Sequence, residues 1–266
     1  MPNPQLPAEM LDNIVDFLHG TKLALRNCCL VSKSWIPRTR KHLFADIRFF
    51  CPARLRLWKK TFPDPSTSPA YYTKTLIIGC PHIITVADAE TGGWITGFSR
   101  VVDFGIGGRG FTVTFVPFHG FSSVIKSLRV SFTVLSPPQI FNLILSFPLL
   151  EDLTVIADGR VMAINDDGSD GLSTAAAQLS SLPTFTGSLE LPVRGGIKAI
   201  APRLLSLPGG IRFRKLTLGW FDEENLSLIV GLVAECVNTL ESLDITCYFH
   251  GEPIRHLAPA LISLLF

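Results

Sequence analysis

Arg214-Lys215-Leu216-Thr217-Leu218 and Glu241-Ser242-Leu243-Asp244-Ile245 decide how this chain folds. Each alternates apolar with polar residues, so a strand through it buries one face and shows the other. The pattern recurs upstream, at Gly187-Ser188-Leu189-Glu190-Leu191, Glu151-Asp152-Leu153-Thr154-Val155, Lys126-Ser127-Leu128-Arg129-Val130 and Thr75-Leu76-Ile77-Ile78. A weaker copy is Arg100-Val101-Val102-Asp103-Phe104. Aligned on the first apolar position, the anchors are 76, 102, 128, 153, 189, 216 and 243, separated by 26, 26, 25, 36, 27 and 27 residues. Ala45-Asp46-Ile47-Arg48-Phe49 lies 29 residues before the first anchor and is placed to open the series.

Between anchors lie helix-like stretches at Pro138–Ser146, Leu172–Ser181, Ile197–Leu205 and Asp222–Val237. In the last, Asp222 is a candidate cap, with Leu226, Ile229, Val230, Val233 and Val237 on one side. Strand plus helix at 25–29 residues is the leucine-rich-repeat pattern. One unit cannot bury its own apolar face, so neighbours must stack. The expected class is α/β, an irregular leucine-rich-repeat-like solenoid with a curved parallel sheet. Its strand face would display Lys126, Arg129, Thr154, Glu190, Thr217 and Asp244, a mixed set that selects no ligand class. The separation of 36 is one period plus about ten residues, and the excess falls in the polar, Gly- and Asp-rich Ala157–Gly171. This stretch reads either as a recognition loop or as a tolerated surface insertion. Pro63, Pro65 and Pro69 read as a stiff linker. Pro253–Phe266 reads as the helix of the last unit, with no capping segment after it. Since solenoids protect their final edge, either Phe266 packs back on the array or the natural protein is longer.

The N-terminal part is helical by its own periodicity. After Leu6-Pro7, Leu11, Ile14, Val15 and Leu18 fall on one helix face, and Gly20 stops it. A second helix is expected at Lys22–Leu30 and a third within Ser32–Leu43, where Pro37 limits how it begins. Three such helices bury little alone. Leu6, Met10, Ile14, Leu18, Leu30, Val31 and Trp35 nonetheless exceed what one small core needs, which suggests a partner surface.

The string Leu6-Pro7-x-Glu9-x-Leu11-x-x-Ile14-x-x-x-Leu18, then Cys29-Leu30-Val31-Ser32-Lys33-x-Trp35, then Leu43-Phe44, resembles the F-box family, especially as found in mushroom-type fungi. The match covers about forty residues. It departs where Thr21-Lys22-Leu23-Ala24-Leu25 lacks the acidic residue many members carry, and where Pro37 interrupts the third helix. The resemblance implies a module that docks on the Skp-type adaptor of a cullin–RING ubiquitin ligase. Leu6, Pro7, Met10, Ile14, Leu18, Leu30, Val31 and Trp35 would form or support the adaptor surface. The chain would then be the substrate-recognition subunit of an SCF-type ligase, its repeats holding an unidentified protein target. The alternative is a non-catalytic leucine-rich-repeat scaffold whose adaptor contact serves assembly. The implied division is a three-helix F-box at 1–45, a first strand and helix with the Pro-rich linker at 46–70, and the repeat array at 71–266.

Composition fits this picture. With 47% hydrophobic and 17% charged residues the chain is too apolar for disorder. Its apolar runs are too short for a membrane span, and the N-terminus carries no secretory pattern. Six scattered cysteines without a Cys-x-x-Cys pair suit reduced thiols, so cytoplasm and/or nucleus is the expected compartment. Between Lys33 and Lys60, nine basic residues face one acid, Asp46. That stripe reads first as solvated helix faces, and neither nucleic acid nor membrane is an expected partner.

No enzyme chemistry is legible. Gly105-Ile106-Gly107-Gly108-Arg109-Gly110 spells Gly-x-Gly-x-x-Gly, but Phe111-Thr112-Val113-Thr114-Phe115-Val116 after it is strand-like where a dinucleotide site needs a helix. A glycine-rich turn between strands is the expectation. Asp166-Asp167-Gly168-Ser169-Asp170-Gly171 lacks the bidentate Glu of a calcium loop, since Ala177 holds its twelfth position. No catalytic residue, metal ligand or cofactor-binding residue is assigned.

Overall fold

The computed structural model describes residues 7–79, 94–108, 123–132, 137–157, 183, 185–192, 194–221 and 225–247. Eight strands form one open sheet: β1 (Asp46–Phe49), β2 (Thr75–Ile78), β3 (Asp103–Gly108), β4 (Ser127–Phe132), β5 (Asp152–Ala157), β6 (Ser188–Leu191), β7 (Lys215–Phe221) and β8 (Ser242–Cys247). Their order in the sheet is their order in the chain, and every neighbouring pair is parallel. Seven α-helices accompany them among the described residues: α1 (Ala8–Phe17), α2 (Lys22–Val31), α3 (Ile36–Leu43), α4 (Pro52–Thr61), α5 (Pro137–Leu145), α6 (Arg194–Leu205) and α7 (Leu226–Cys236). The expected α/β class and parallel sheet are therefore present, and Ala45-Asp46-Ile47 opens the series.

Parallel register aligns Ile47, Leu76, Phe104, Leu128, Leu153, Leu189, Leu216 and Leu243 in one row. All but Leu243 are buried. A repeated backbone device holds this register. The carbonyls of Ala45, Lys74, Val102, Lys126, Gly187 and Arg214 each accept two consecutive amides from the start of the next unit. This corrects the weak repeat: Val102 occupies the position of Lys74 and Lys126, so the anchor is Phe104, two residues later. Alternation could not separate Val102 from Phe104, because residues two apart point to the same face. The glycine string is corrected too. Gly105–Gly108 belong to β3 itself, paired with Arg129–Phe132, while 109–116 lie outside the described residues.

One core runs from Ile47 to Cys236. In α7 the buried residues are Ile229, Leu232, Val233 and Cys236, so its inward stripe is rotated from the expected one and Val237 is exposed. The expected cap Asp222, the helix at 172–181, the bulk of the insertion (158–171) and the segment 253–266 lie outside the described residues. At the insertion the double-amide device changes. Among the described residues Glu151 O accepts from Gly187 N alone, and Ser188 N and Oγ donate instead to Asp152 Oδ1 at 2.6 and 2.7 Å. Pro69 is buried in a 3-10 turn (Pro69–Tyr72) that packs against α3, and Thr73 Oγ1 donates to Phe44 O at 2.9 Å. The N-terminal helices are thus seated on the same body as the sheet.

Candidate functional site

The first candidate surface is built by α1–α3. Ser32 Oγ accepts from Ser34 N and caps a 3-10 turn (Lys33–Trp35), after which Pro37 sits in the first turn of α3, where its missing N–H costs nothing. Thr39 is buried and its hydroxyl donates to Trp35 O. Val15, Leu25 and Cys28 fill the space between the helices, with Leu11 and Leu18 half-buried beside them. Asp16 accepts from Arg38 Nε at 2.6 Å, from Arg38 Nη2 and from His42 Nε2 at 2.7 Å, locking α1 to α3. These hydrogen bonds, Arg38's first and His42's second, hold the Asp16 carboxyl well below its ordinary range.

With the inward side filled, the other side stays uncovered. Met10 is 51% exposed, Ile14 42%, Phe17 86% and Leu30 86%; Val31 and Pro7 are exposed as well. Leu18 and Trp35 are half-buried and support the helices from within, and Leu6 lies outside the described residues. Phe17 and Leu23, both exposed, were not among the expected surface residues. Phe17 had a signal: Met10, Ile14 and Phe17 fall at i, i+4 and i+7, a second apolar stripe beside Leu11, Val15 and Leu18.

The second candidate surface is the outward row of the sheet. Arg48, Ile77, Gly105, Arg129, Thr154, Glu190, Thr217 and Asp244 share one register position. Five of the six expected face residues are in it. Lys126 is not: it precedes β4, and its Nζ donates to Glu151 Oε1 at 2.7 Å. On the row, Thr154 Oγ1 donates to Glu190 Oε2 at 3.1 Å. Arg48 folds back on Asp46 with hydrogen bonds of 2.7 to 3.1 Å, and its guanidinium lowers the Asp46 pKa. Because Gly105 has no side chain, a notch of about 230 Å³ opens over β3, lined by Arg48, Thr75, Ile77, Asp103, Ser127 and Arg129 among others.

Among the described residues no group of three or more His, Cys, Asp or Glu side chains could hold a metal ion, and no helix is long and apolar enough to cross a membrane. No family model matches the chain, and no curated protein matches it.

Proposed function

We propose that the chain is the substrate-recognition subunit of an SCF-type cullin–RING ubiquitin ligase. In this reading residues 1–45 are the F-box that docks on a Skp-type adaptor, and the leucine-rich-repeat-like array at 71–266 holds a protein target. The observation that carries it is the uncovered row Met10, Ile14 and Phe17 on a helix whose opposite side is already packed. Burying a large apolar side chain is worth roughly 1.5–3 kcal/mol, so such a row is an unspent association surface. Leu30 and Val31 extend the apolar surface at the end of α2. Of the expected adaptor-surface residues, Pro7, Met10, Ile14, Leu30 and Val31 are exposed, which supports the docking reading.

The chain would make no bond itself. It would raise the effective concentration of target lysines near the charged conjugating enzyme and orient them. The test is co-purification with a Skp-type adaptor. Ile14→Asp and Phe17→Asp place a charge on the outward row without touching Val15 or the Asp16 cluster. Each is expected to lower adaptor recovery at least tenfold, the equivalent of about 1.4 kcal/mol, with far-UV circular dichroism unchanged. Unchanged recovery from both variants refutes the docking role. Adaptor binding without ubiquitylation of a bound partner would leave the assembly scaffold instead.

A further inference from the structure

We infer that the notch over β3 is a receptor for a single carboxylate side chain, a glutamate or aspartate presented by a protein partner. The inference rests on reading the sheet face as the target-holding side. It names the kind of residue that face accepts.

The notch exists because β3 contributes no side chain at a position where its neighbours do. Gly105 stands in register between Ile77 and Arg129, and a Cβ added to it would come 3.2 Å from Ile77 Cγ1. Ile77 and the bare Gly105 backbone make an apolar floor that suits methylenes, and about 230 Å³ is room for a side chain rather than a drug-sized ligand.

Charge then selects what lies at the end of those methylenes. Arg48 is committed to Asp46. Asp103, the carboxylate in the lining, accepts from Thr75 Oγ1 at 3.1 Å. Arg129 is exposed, and its neighbours on the row are Gly105 and Thr154, so among the described residues no carboxylate pairs with it. Its guanidinium offers a fork that matches a carboxylate. A doubly charged phosphate would need a second free cation and would be repelled more strongly by Asp103. Further along the row Glu190 and Asp244 repel an anion, which confines the carboxylate to the β3–β4 end.

The experiment titrates the purified full-length chain with blocked pentapeptides, Gly-Ser-X-Ser-Gly, in which X is glutamate, glutamine, lysine or phosphoserine. It follows the Arg129 side-chain Nε–H resonance and the Gly105 and Ser127 amides. The glutamate peptide is expected to move these signals, and glutamine and lysine to leave them in place. Arg129→Ala should weaken glutamate binding about three- to fivefold, and Asp103→Asn should tighten it about threefold, the sizes expected of exposed charge pairs. Absence of a glutamate response, a stronger response to phosphoserine or lysine, or weakening by Asp103→Asn would each overturn the assignment. Ile14→Asp separates the two readings. It should lower adaptor recovery yet leave glutamate binding intact, whereas Arg129→Ala should weaken glutamate binding and leave adaptor recovery unchanged.

Discussion

Asp16 shows how much one side chain can organise. A carboxylate at the end of α1 would ordinarily be solvated, but here it accepts from Arg38 and His42 of α3. Its folded pKa is depressed below the ordinary value of 3.8, so the stability it contributes is fully present above that value. That contribution is lost as pH falls from there toward the lower folded value. Asp16→Asn should therefore speed hydrogen exchange of the α1 amides at neutral pH. The difference from the parent chain should shrink as pH falls below 3.8, where the unfolded chain's carboxylate takes up a proton while the folded one still holds its charge. A difference that persists undiminished in acid would show that geometry, rather than charge, carries the contact. Nothing in the sequence announces this cluster, because its members are 22 and 26 residues apart and meet only once α3 has packed against α1.

At the scale of the element, strand β7 is limited by a glycine. A Cβ on Gly219 would collide with the Pro192 carbonyl of the neighbouring unit, where the β7–β8 register also shifts. Gly219→Ala should cost about 1–3 kcal/mol in chemical denaturation, the usual range for overpacking. Gly20→Ala, with no neighbour within 4 Å, should change stability by less than about 0.5 kcal/mol. Equal effects would remove the steric explanation. The same strands show what a sequence discloses about a fold. Alternation at Leu128, Leu153, Leu189, Leu216 and Leu243 was legible because each residue repeats one buried position. The β3 anchor was not, since Val102 and Phe104 share a face and only the backbone ladder chooses between them. Phe17 was hidden differently: α1 carries two apolar stripes, and the inward one alone accounts for a helix. The notch at Gly105 was invisible for a third reason. A glycine cluster reads as a turn, and the meaning of a missing side chain depends on Ile77 and Arg129 in the flanking strands.

Across the described residues the eight parallel strands follow one another in chain order, each flanked by its sequence neighbours, so local stability should follow position along the sheet. In the central units both inward residues are fully buried, as in Leu128 with Val130, Leu153 with Val155 and Leu189 with Leu191. In β8 the corresponding Leu243 and Ile245 are only half-buried, although they still pack on the common core. At the other end β1 is better protected. Phe49 stacks edge-on against Trp58 and Trp94, and Trp58 also meets Phe44 and Phe98, which ties α3, α4 and the first strands together. Opening at the β8 end therefore exposes less apolar surface than opening anywhere else along the described strands. Leu153→Ala should cost about 2–5 kcal/mol, as fully buried leucines do, and Leu243→Ala roughly half as much. Native-state hydrogen exchange should show the β8 amides opening at lower free energy than those of β4 and β5, with β1 closer to the centre than to β8. Equal protection of β8 and β4 would mean that the sheet opens only as a single cooperative block, and that the half-burial of Leu243 and Ile245 has no energetic consequence.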